Sequence, residues 1–316
     1  MVENTHNPMN DPRYCGIPTF MRTPLATHLS DLDIALVGVP YDGAVEARPG
    51  ARQGPRQIRD MSTMMRAIHH VTRINPYELC RIADVGDVRF KQIFDVTASH
   101  ADITCFYEKL FKSGIVPLSA GGDHSITLPI MRAIAADKPL GLVHIDAHTD
   151  CCDEEMNSKY SHGTPFRRAV EEGILNPKRT IQIGIRGAAN SDECWNFGPE
   201  NGIRIVYIEE FTKLGVEKVI TEARRVVGDG PTYISFDIDS IDPSFAPGTG
   251  TPEIGGLTTI EAQGLIRGLR GLNLVGADVV EVSPPFDPSG STALIGATIM
   301  YEILCILAER ISAHSK

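Results

Sequence analysis

The feature that most restricts what this chain can fold into is a repeated order along it. A short, nearly unbroken apolar run is followed by polar residues and then by a helical pattern. Apolar, β-rich runs occupy 34–39, 79–85, 115–118, 142–145, 180–185, 203–208, 233–236 and 274–282. Segments 98–112, 128–136, 216–227, 259–269 and 293–311 place apolar residues near the helical period of 3.6. Strands that are apolar on both faces and alternate with helices belong in a sheet covered on both sides. The pattern predicts an α/β fold of three layers, α/β/α, around a mostly parallel sheet of about eight strands. No Ser- or Pro-rich linker splits the chain and no repeat recurs. It therefore reads as one domain over 31–316, with 1–30 as an N-terminal arm lying over the surface.

Charge narrows the partners. The 316 residues carry 30 Lys and Arg against 40 Asp and Glu, a formal net charge of −10. Without a basic block, such a chain is a poor ligand for nucleic acid or for a membrane surface. It suits small cations better. No apolar run of the ~18 residues that a membrane span needs is evident. The N-terminal stretch lacks the basic segment and apolar core of a secretory signal. The seven cysteines, at 15, 80, 105, 151, 152, 194 and 305, form no CxxC and no regular framework. The expectation is reduced thiols in a cytoplasmic protein.

In a parallel sheet the ligand site lies beyond the carboxyl ends of the strands. The residues just after the apolar runs are therefore the informative ones. Gly121-Gly122-Asp123-His124 follows the third run and Asp146-Ala147-His148-Thr149-Asp150 the fourth. Asp237-Ile238-Asp239 follows the seventh, and Glu281 closes the eighth. On extended backbone, residues i, i+2 and i+4 share a face, so Asp146, His148 and Asp150 should converge, as should Asp237 and Asp239. So dense a set of carboxylates repels itself unless cations sit among it. Four Asp and two His form an oxygen-rich donor set suited to two divalent ions of the manganese type. Either motif alone is common at solvated strand ends; three motifs after three separate strands are not. His144, inside its apolar run, reads as a core or supporting histidine.

These motifs resemble the ureohydrolase family, which includes arginase, agmatinase and related guanidino-acid hydrolases. The resemblance continues through His162-Gly163-Thr164-Pro165-Phe166, Ser235 to Asp239, Asp242-Pro243, Ala246 to Glu253 and Glu281-Val282-Ser283-Pro284, in family order. Phe20-Met21-Arg22, His69-His70-Val71 and 164–172 bring it closest to the bacterial guanidinopropionase and guanidinobutyrase branch. The resemblance implies a ureohydrolase catalytic domain holding two Mn²⁺ per chain, with Ni²⁺ as the alternative. One ion would be held by His124, Asp146, Asp150 and Asp237, the other by Asp146, His148, Asp237 and Asp239. It implies hydrolysis of a guanidino compound, such as 3-guanidinopropionate or 4-guanidinobutyrate, to urea and an amine. A delocalised guanidinium carbon is a poor electrophile, and a metal pair makes water a strong nucleophile at neutral pH. Asp150 would accept a hydrogen bond from that nucleophile. Glu281 would fork onto the guanidinium nitrogens. His162 would protonate the leaving amine. Homo-hexamers or trimers are implied too, and a mixed-subunit assembly is compatible.

The tail-binding lip departs from the family. Cys152 stands where many members have Asn, and Glu155 where an aromatic or Met is found. With Glu46, the acidic run 153–155 predicts a lip that attracts a cation, whereas Arg48 and Arg52 lie close enough in sequence to hold a carboxylate. The substrate tail is thus open between a guanidino acid, agmatine and a carboxylate-free alkylated guanidine or biguanide of the metformin kind. Cys151 and Cys152 read as pocket-wall residues. A one-zinc deacetylase of the same broad fold and a silent subunit are the competing readings. The paired DxHxD and DxD motifs argue against the first, and the full ligand set against the second.

Overall fold

Residue alternation along the strands decides the layers. In 34–39, Ile34 and Leu36 join one apolar cluster while Ala35, Val37 and Val39 join the other, as the period of two requires. The computed structural model describes residues 11–26, 28–135 and 138–314. Its strands are β1 (Ile34–Val39), β2 (Ile82–Asp87), β3 (Val116–Gly121), β4 (Leu140–Ile145), β5 (Leu175–Ile185), β6 (Arg204–Tyr207), β7 (Thr232–Asp237) and β8 (Leu274–Val280). They form a single sheet in the order β2-β1-β3-β8-β7-β4-β5-β6, with every pairing parallel. The sequence expectation of eight strands in a three-layer arrangement holds.

The helices are α1 (Gly54–Ser62), α2 (Pro76–Leu79), α3 (Val96–Lys112), α4 (Thr127–Ile134), α5 (Pro165–Glu171), α6 (Glu193–Asn201), α7 (Ile208–Leu214), α8 (Val216–Val227), α9 (Thr259–Gly268) and α10 (Ser291–His314). Residues of α1, α8, α9 and α10 close one face of the sheet; residues of α3, α4 and α5 close the other. Helix α9 opens on a capping box, with Thr258 and Glu261 each accepting from the other's backbone N–H. Ahead of α10, the Asp287 carboxylate accepts from the Thr292 N–H at 2.7 Å.

Two expectations need correction. Ser291–Ala313 is long and apolar enough to cross a membrane, with a mean hydropathy of 1.8 over its best window. However, 78% of that window is buried inside the fold, where it covers the sheet. The N-terminal segment is not wholly a surface arm either. Tyr14 and Ile17 are exposed, but Phe20 and Met21 are fully buried. The Phe20 N–H donates to Asp84 at 3.0 Å, and the Arg59 guanidinium lies 4.1 Å from the Phe20 ring centre. Residues 1–10 of the expected arm lie outside the described residues.

Candidate metal centre and substrate cavity

The four strands whose ends carry the candidate ligands are neighbours at the middle of the sheet: β3, β8, β7 and β4. Gly122, just past β3, is required by close approach, since a Cβ there would lie 1.6 Å from the Tyr41 carbonyl oxygen.

The ligands converge, though not by strand alternation. β4 stops at Ile145, and Asp150 has φ +50°. The Asp146 carboxylate accepts the His148 N–H at 2.7 Å, and the Asp237 carboxylate accepts the Asp239 N–H at 2.8 Å. Each Asp thus folds the backbone over its own side chain in an Asx-type turn. The Ala147 N–H donates to Asp239 at 3.1 Å and joins the two turns. Glu281 also has positive φ, +63°, so two of the three candidate catalytic residues sit in the left-handed region that non-glycine residues seldom adopt.

His124 defines the centre. Its Nδ1 lies 3.1 Å from Asp146, 2.9 Å from Asp150 and 3.1 Å from Asp237. Its Nε2 lies 2.8 Å from the Ser235 hydroxyl, which itself donates to Asp278 at 2.7 Å. Because that hydroxyl hydrogen is committed, Nε2 must carry the ring proton. Nδ1 then aims a lone pair at three carboxylates, and it is a buried atom without a hydrogen-bond partner. Lone pairs facing one another in a dry site need a cation between them. Without a metal ion, burial would lower the His124 pKa, yet the three carboxylates draw a second proton onto the ring and raise it well above the ordinary value. The second cluster is Asp146, His148 and Asp239, with His148 Nδ1 3.0 Å from Asp239. Asp146 belongs to both clusters, as expected of a bridging ligand. Asp237 is seen on the His124 side only. The residues therefore fit two hard or borderline divalent cations.

Electrostatics agree. Burial pushes the Asp237 and Asp239 carboxyls up, and repulsion from Asp146 pushes both further. Burial also works against the Asp146 carboxylate, but the surrounding imidazoles hold it well below the usual range. His144 is fully buried, 2.7 Å from Asp146 on one side and 3.1 Å from Gln182 on the other. It supports Asp146 as the sequence position suggested.

His162 sits beside this centre between two carboxylates, 2.5 Å from Glu46 and 3.3 Å from Glu281. Burial would lower its pKa, yet these two neighbours raise it well above the ordinary histidine value. Glu46 in turn is held down to about 2, chiefly by its hydrogen bond to His162. Glu281 accepts from the His124 N–H at 2.8 Å and is 2% exposed. It lies behind His162 and does not line the cavity.

The cavity above the centre measures about 500 Å³. Glu46, Glu154, Glu155, Glu193 and Glu253 line it together with Met156 and Trp195; among the described residues no Lys or Arg does. Arg48 stacks on Phe286 and donates to the Pro247 carbonyl, and Arg52 pairs with Asp42. Neither arginine faces the cavity, so the carboxylate-holding role considered for them is not supported. Arg186 spends its guanidinium on backbone carbonyls of 184, 239, 240, 253 and 254, fixing the 251–253 wall. Glu155 does line the cavity, but its carboxylate accepts from Ser161 at 2.5 Å and from the Gly163 N–H at 3.3 Å. It braces its own loop.

The cysteine expectation fails at one pair. Cys152 is bonded to Cys194 across the cavity wall. The sequence hides this because the partners are 42 residues apart and only the packing of α6 against the Asp150 loop joins them. Cys151 is not a wall residue: it is fully buried in the apolar cluster. Sequence reasoning also missed Asp278, which holds Thr127, Tyr233 and Ser235 under His124. A carboxylate inside a doubly covered strand was the available signal.

Comparison with known proteins agrees with this geometry. The arginase family model matches residues 32–305. Guanidinopropionase of Pseudomonas aeruginosa is 58% identical over 299 residues, covering 94% of both chains. Guanidinobutyrase of the same organism is 47% identical over 314 residues, covering 97% of this chain and 98% of its own. The structure of proclavaminate amidino hydrolase from Streptomyces clavuligerus superposes with a TM-score of 0.92 at 38% identity, over 95% of this chain and all of that one. A parallel eight-stranded sheet carrying two Asp- and His-built cation sites at its centre, matched along nearly its full length by these relatives, places the chain in the arginase family, whose ureohydrolases cleave guanidino compounds at a binuclear metal site.

Proposed function

We propose that this chain hydrolyses a small guanidino acid to urea and an amine, with two Mn²⁺ held by His124, Asp146, His148, Asp150, Asp237 and Asp239. The observation that carries the reading is the unpartnered Nδ1 of His124 facing three carboxylates beneath a cavity that also holds His162. The guanidino-acid class is supported by the names of the two Pseudomonas aeruginosa relatives. When bound, the metals supply Lewis acidity and a water that is nucleophilic at neutral pH. Asp150, 8% exposed at the cavity floor, takes a proton from the attacking water. His162 remains an imidazolium between Glu46 and Glu281, and its Nε2 proton, shared with Glu46, passes to the leaving amine. Water adds across the C–N bond, so one urea and one amine leave per turnover. Glu281 positions His162 and the His124 backbone; the fork onto substrate expected of it would require a tilt of His162.

A specific observation favours a second reading. With five glutamates and, among the described residues, no Lys or Arg on its wall, the cavity suits a cationic or uncharged tail better than a carboxylate. A panel of guanidinopropionate, guanidinobutyrate, agmatine, guanidine and an alkylated biguanide, with urea and amine both measured on Mn- and Ni-loaded protein, separates the two. Highest kcat/KM on a guanidino acid is the expected result; highest kcat/KM on the biguanide or agmatine overturns it. No urea from any member would sink the hydrolase reading. Cytoplasmic residence and self-association into trimers or hexamers belong to the same proposal; sedimentation of the purified chain tests the latter.

A further inference from the structure

Two cysteines of the cavity wall come from distant parts of the chain. Cys152 follows the candidate ligand Asp150 by two residues, and Cys194 lies on the first turn of α6, next to Trp195. All three line the cavity. The remaining five cysteines carry no such bond, and Cys80, Cys151 and Cys305 are buried. The loop on the Cys152 side is otherwise fastened to the metal-centre side of the cavity, the Cys152 N–H donating to Gly163 at 3.1 Å and the Phe166 N–H to Asp150 at 3.2 Å. The Cys194 side is tied by the Thr149 hydroxyl to the Cys194 carbonyl at 2.8 Å, by the Arg167–Glu193 pair and by Arg167 lying 4.7 Å over the Phe197 ring, all made by side chains. Among the described residues the disulfide is the one covalent cross-link, beyond the backbone itself, between the Asp150 loop and the wall that carries Trp195.

We propose that the Cys152–Cys194 disulfide is a redox-controlled clamp that determines substrate specificity, fixing the Trp195 wall of the cavity against the Asp150 loop so that tail binding differs between the oxidised and dithiol forms. This rests on the functional reading above for its substrate and on the geometry alone for the clamp. The step needs a small disulfide such as oxidised glutathione as oxidant. The Cys152 or Cys194 thiolate attacks one of its sulfurs and expels the first thiol. The other cysteine sulfur then displaces the second. Two electrons and two protons leave the cysteine pair, and the reagent departs as two thiols. Both cysteines line the cavity, which is the side from which such a reagent would approach. In a reducing compartment disulfides are rare except where they are catalytic or redox-sensing, which suits a reversible clamp and not a permanent brace.

The clamp and the catalysis are tested separately. The full chain, metal-loaded, is treated with oxidised glutathione or with a phosphine reductant and then assayed for thiols after denaturation. Five are expected after oxidation, less any glutathione adducts of the exposed Cys15 and Cys105 identified by mass, and seven after reduction. The single tryptophan of the chain is Trp195, and an adjacent disulfide quenches indole emission, so its fluorescence should rise on reduction and fall on reoxidation. Neither readout needs turnover. For a tailed guanidino substrate, reduction should raise KM by roughly tenfold with kcat kept within about twofold, the signature of lost tail binding. Cys152→Ser/Cys194→Ser should copy the reduced enzyme and ignore the reductant. Seven thiols after oxidation, or unchanged Trp195 emission, would overturn the clamp. An equal reductant response in the double variant would also overturn it, by locating the effect at the metals.

Discussion

The floor and the lip of this cavity are built on different principles. At the floor, β3, β8, β7 and β4 are hydrogen-bonded neighbours, and each delivers its chemistry within a few residues of its last ladder position. Errors of placement there are held to what a parallel sheet allows. At the lip, Glu46, the 153–163 loop and the start of α6 come from three separate excursions, held by side-chain hydrogen bonds, ion pairs and one disulfide. The floor fixes what reaction can occur. The lip fixes which molecule undergoes it, and it does so with contacts that are individually weak and replaceable.

Substitutions that respect this division should sort themselves by size. Asp237→Asn, at the floor, should reduce activity to background and cost about one metal equivalent, read by elemental analysis beside a urea assay. Full activity with full metal content would remove the distinction altogether. His162→Gln stands at the boundary. It should lower kcat by roughly 10²–10⁴-fold while both metals remain bound, as for the loss of a general acid. Asp278→Asn lies beneath the floor and touches no substrate. It should weaken metal binding by roughly 10–100-fold, measured by competition with a chelator, because Ser235 would no longer fix the His124 tautomer.

The lip should respond more gently. Glu46→Gln removes one of the two charges that hold the His162 proton. A raised histidine pKa keeps the acid form present to higher pH, so its loss should move the alkaline limb of the pH–rate profile downward, on the order of one unit. An unmoved limb would show that Glu281 alone sets the proton affinity. Glu155→Ala should cost about 1 kcal/mol in thermal or denaturant unfolding, through the Ser161 and Gly163 donors it leaves unpaired. The substrate ranking should hardly change, since its carboxylate is spent on the loop. A reversed ranking would make Glu155 a tail reader after all.

The same division decides how much could be read from the amino-acid order. Strands covered on both faces are mostly apolar, so β1 to β8 showed themselves, and the ligands fell at their ends, where a parallel sheet opens its site. Helix α8 was legible at both boundaries for the same reason, its apolar stripe being unmixed. The helices passed over were α1, α2, α5, α6 and α7. Helix α6 contains Gly198-Pro199, which locally argues against a helix, and α5 has only seven residues. The extended geometry inferred for Asp146 to Asp150 failed because an Asp carboxylate competes for the backbone N–H two residues on. What stayed hidden at the lip is long-range by nature. Nothing near Cys152 signals Cys194, and nothing near Arg48 says that Phe286 will draw it away.

The strand order carries a consequence for biosynthesis. β7 and β8 are the last strands made, yet they fill the gap between β3 and β4 at the centre of the sheet. A nascent chain that has emerged only as far as α8 owns His124, Asp146, His148 and Asp150, but the two halves that bear them have no strand between them to bring them together. Such late, non-local pairing is slow to form. It also makes ion capture a check of completeness: a prematurely terminated polypeptide has four of the six donors on unjoined pieces and stays chemically inert.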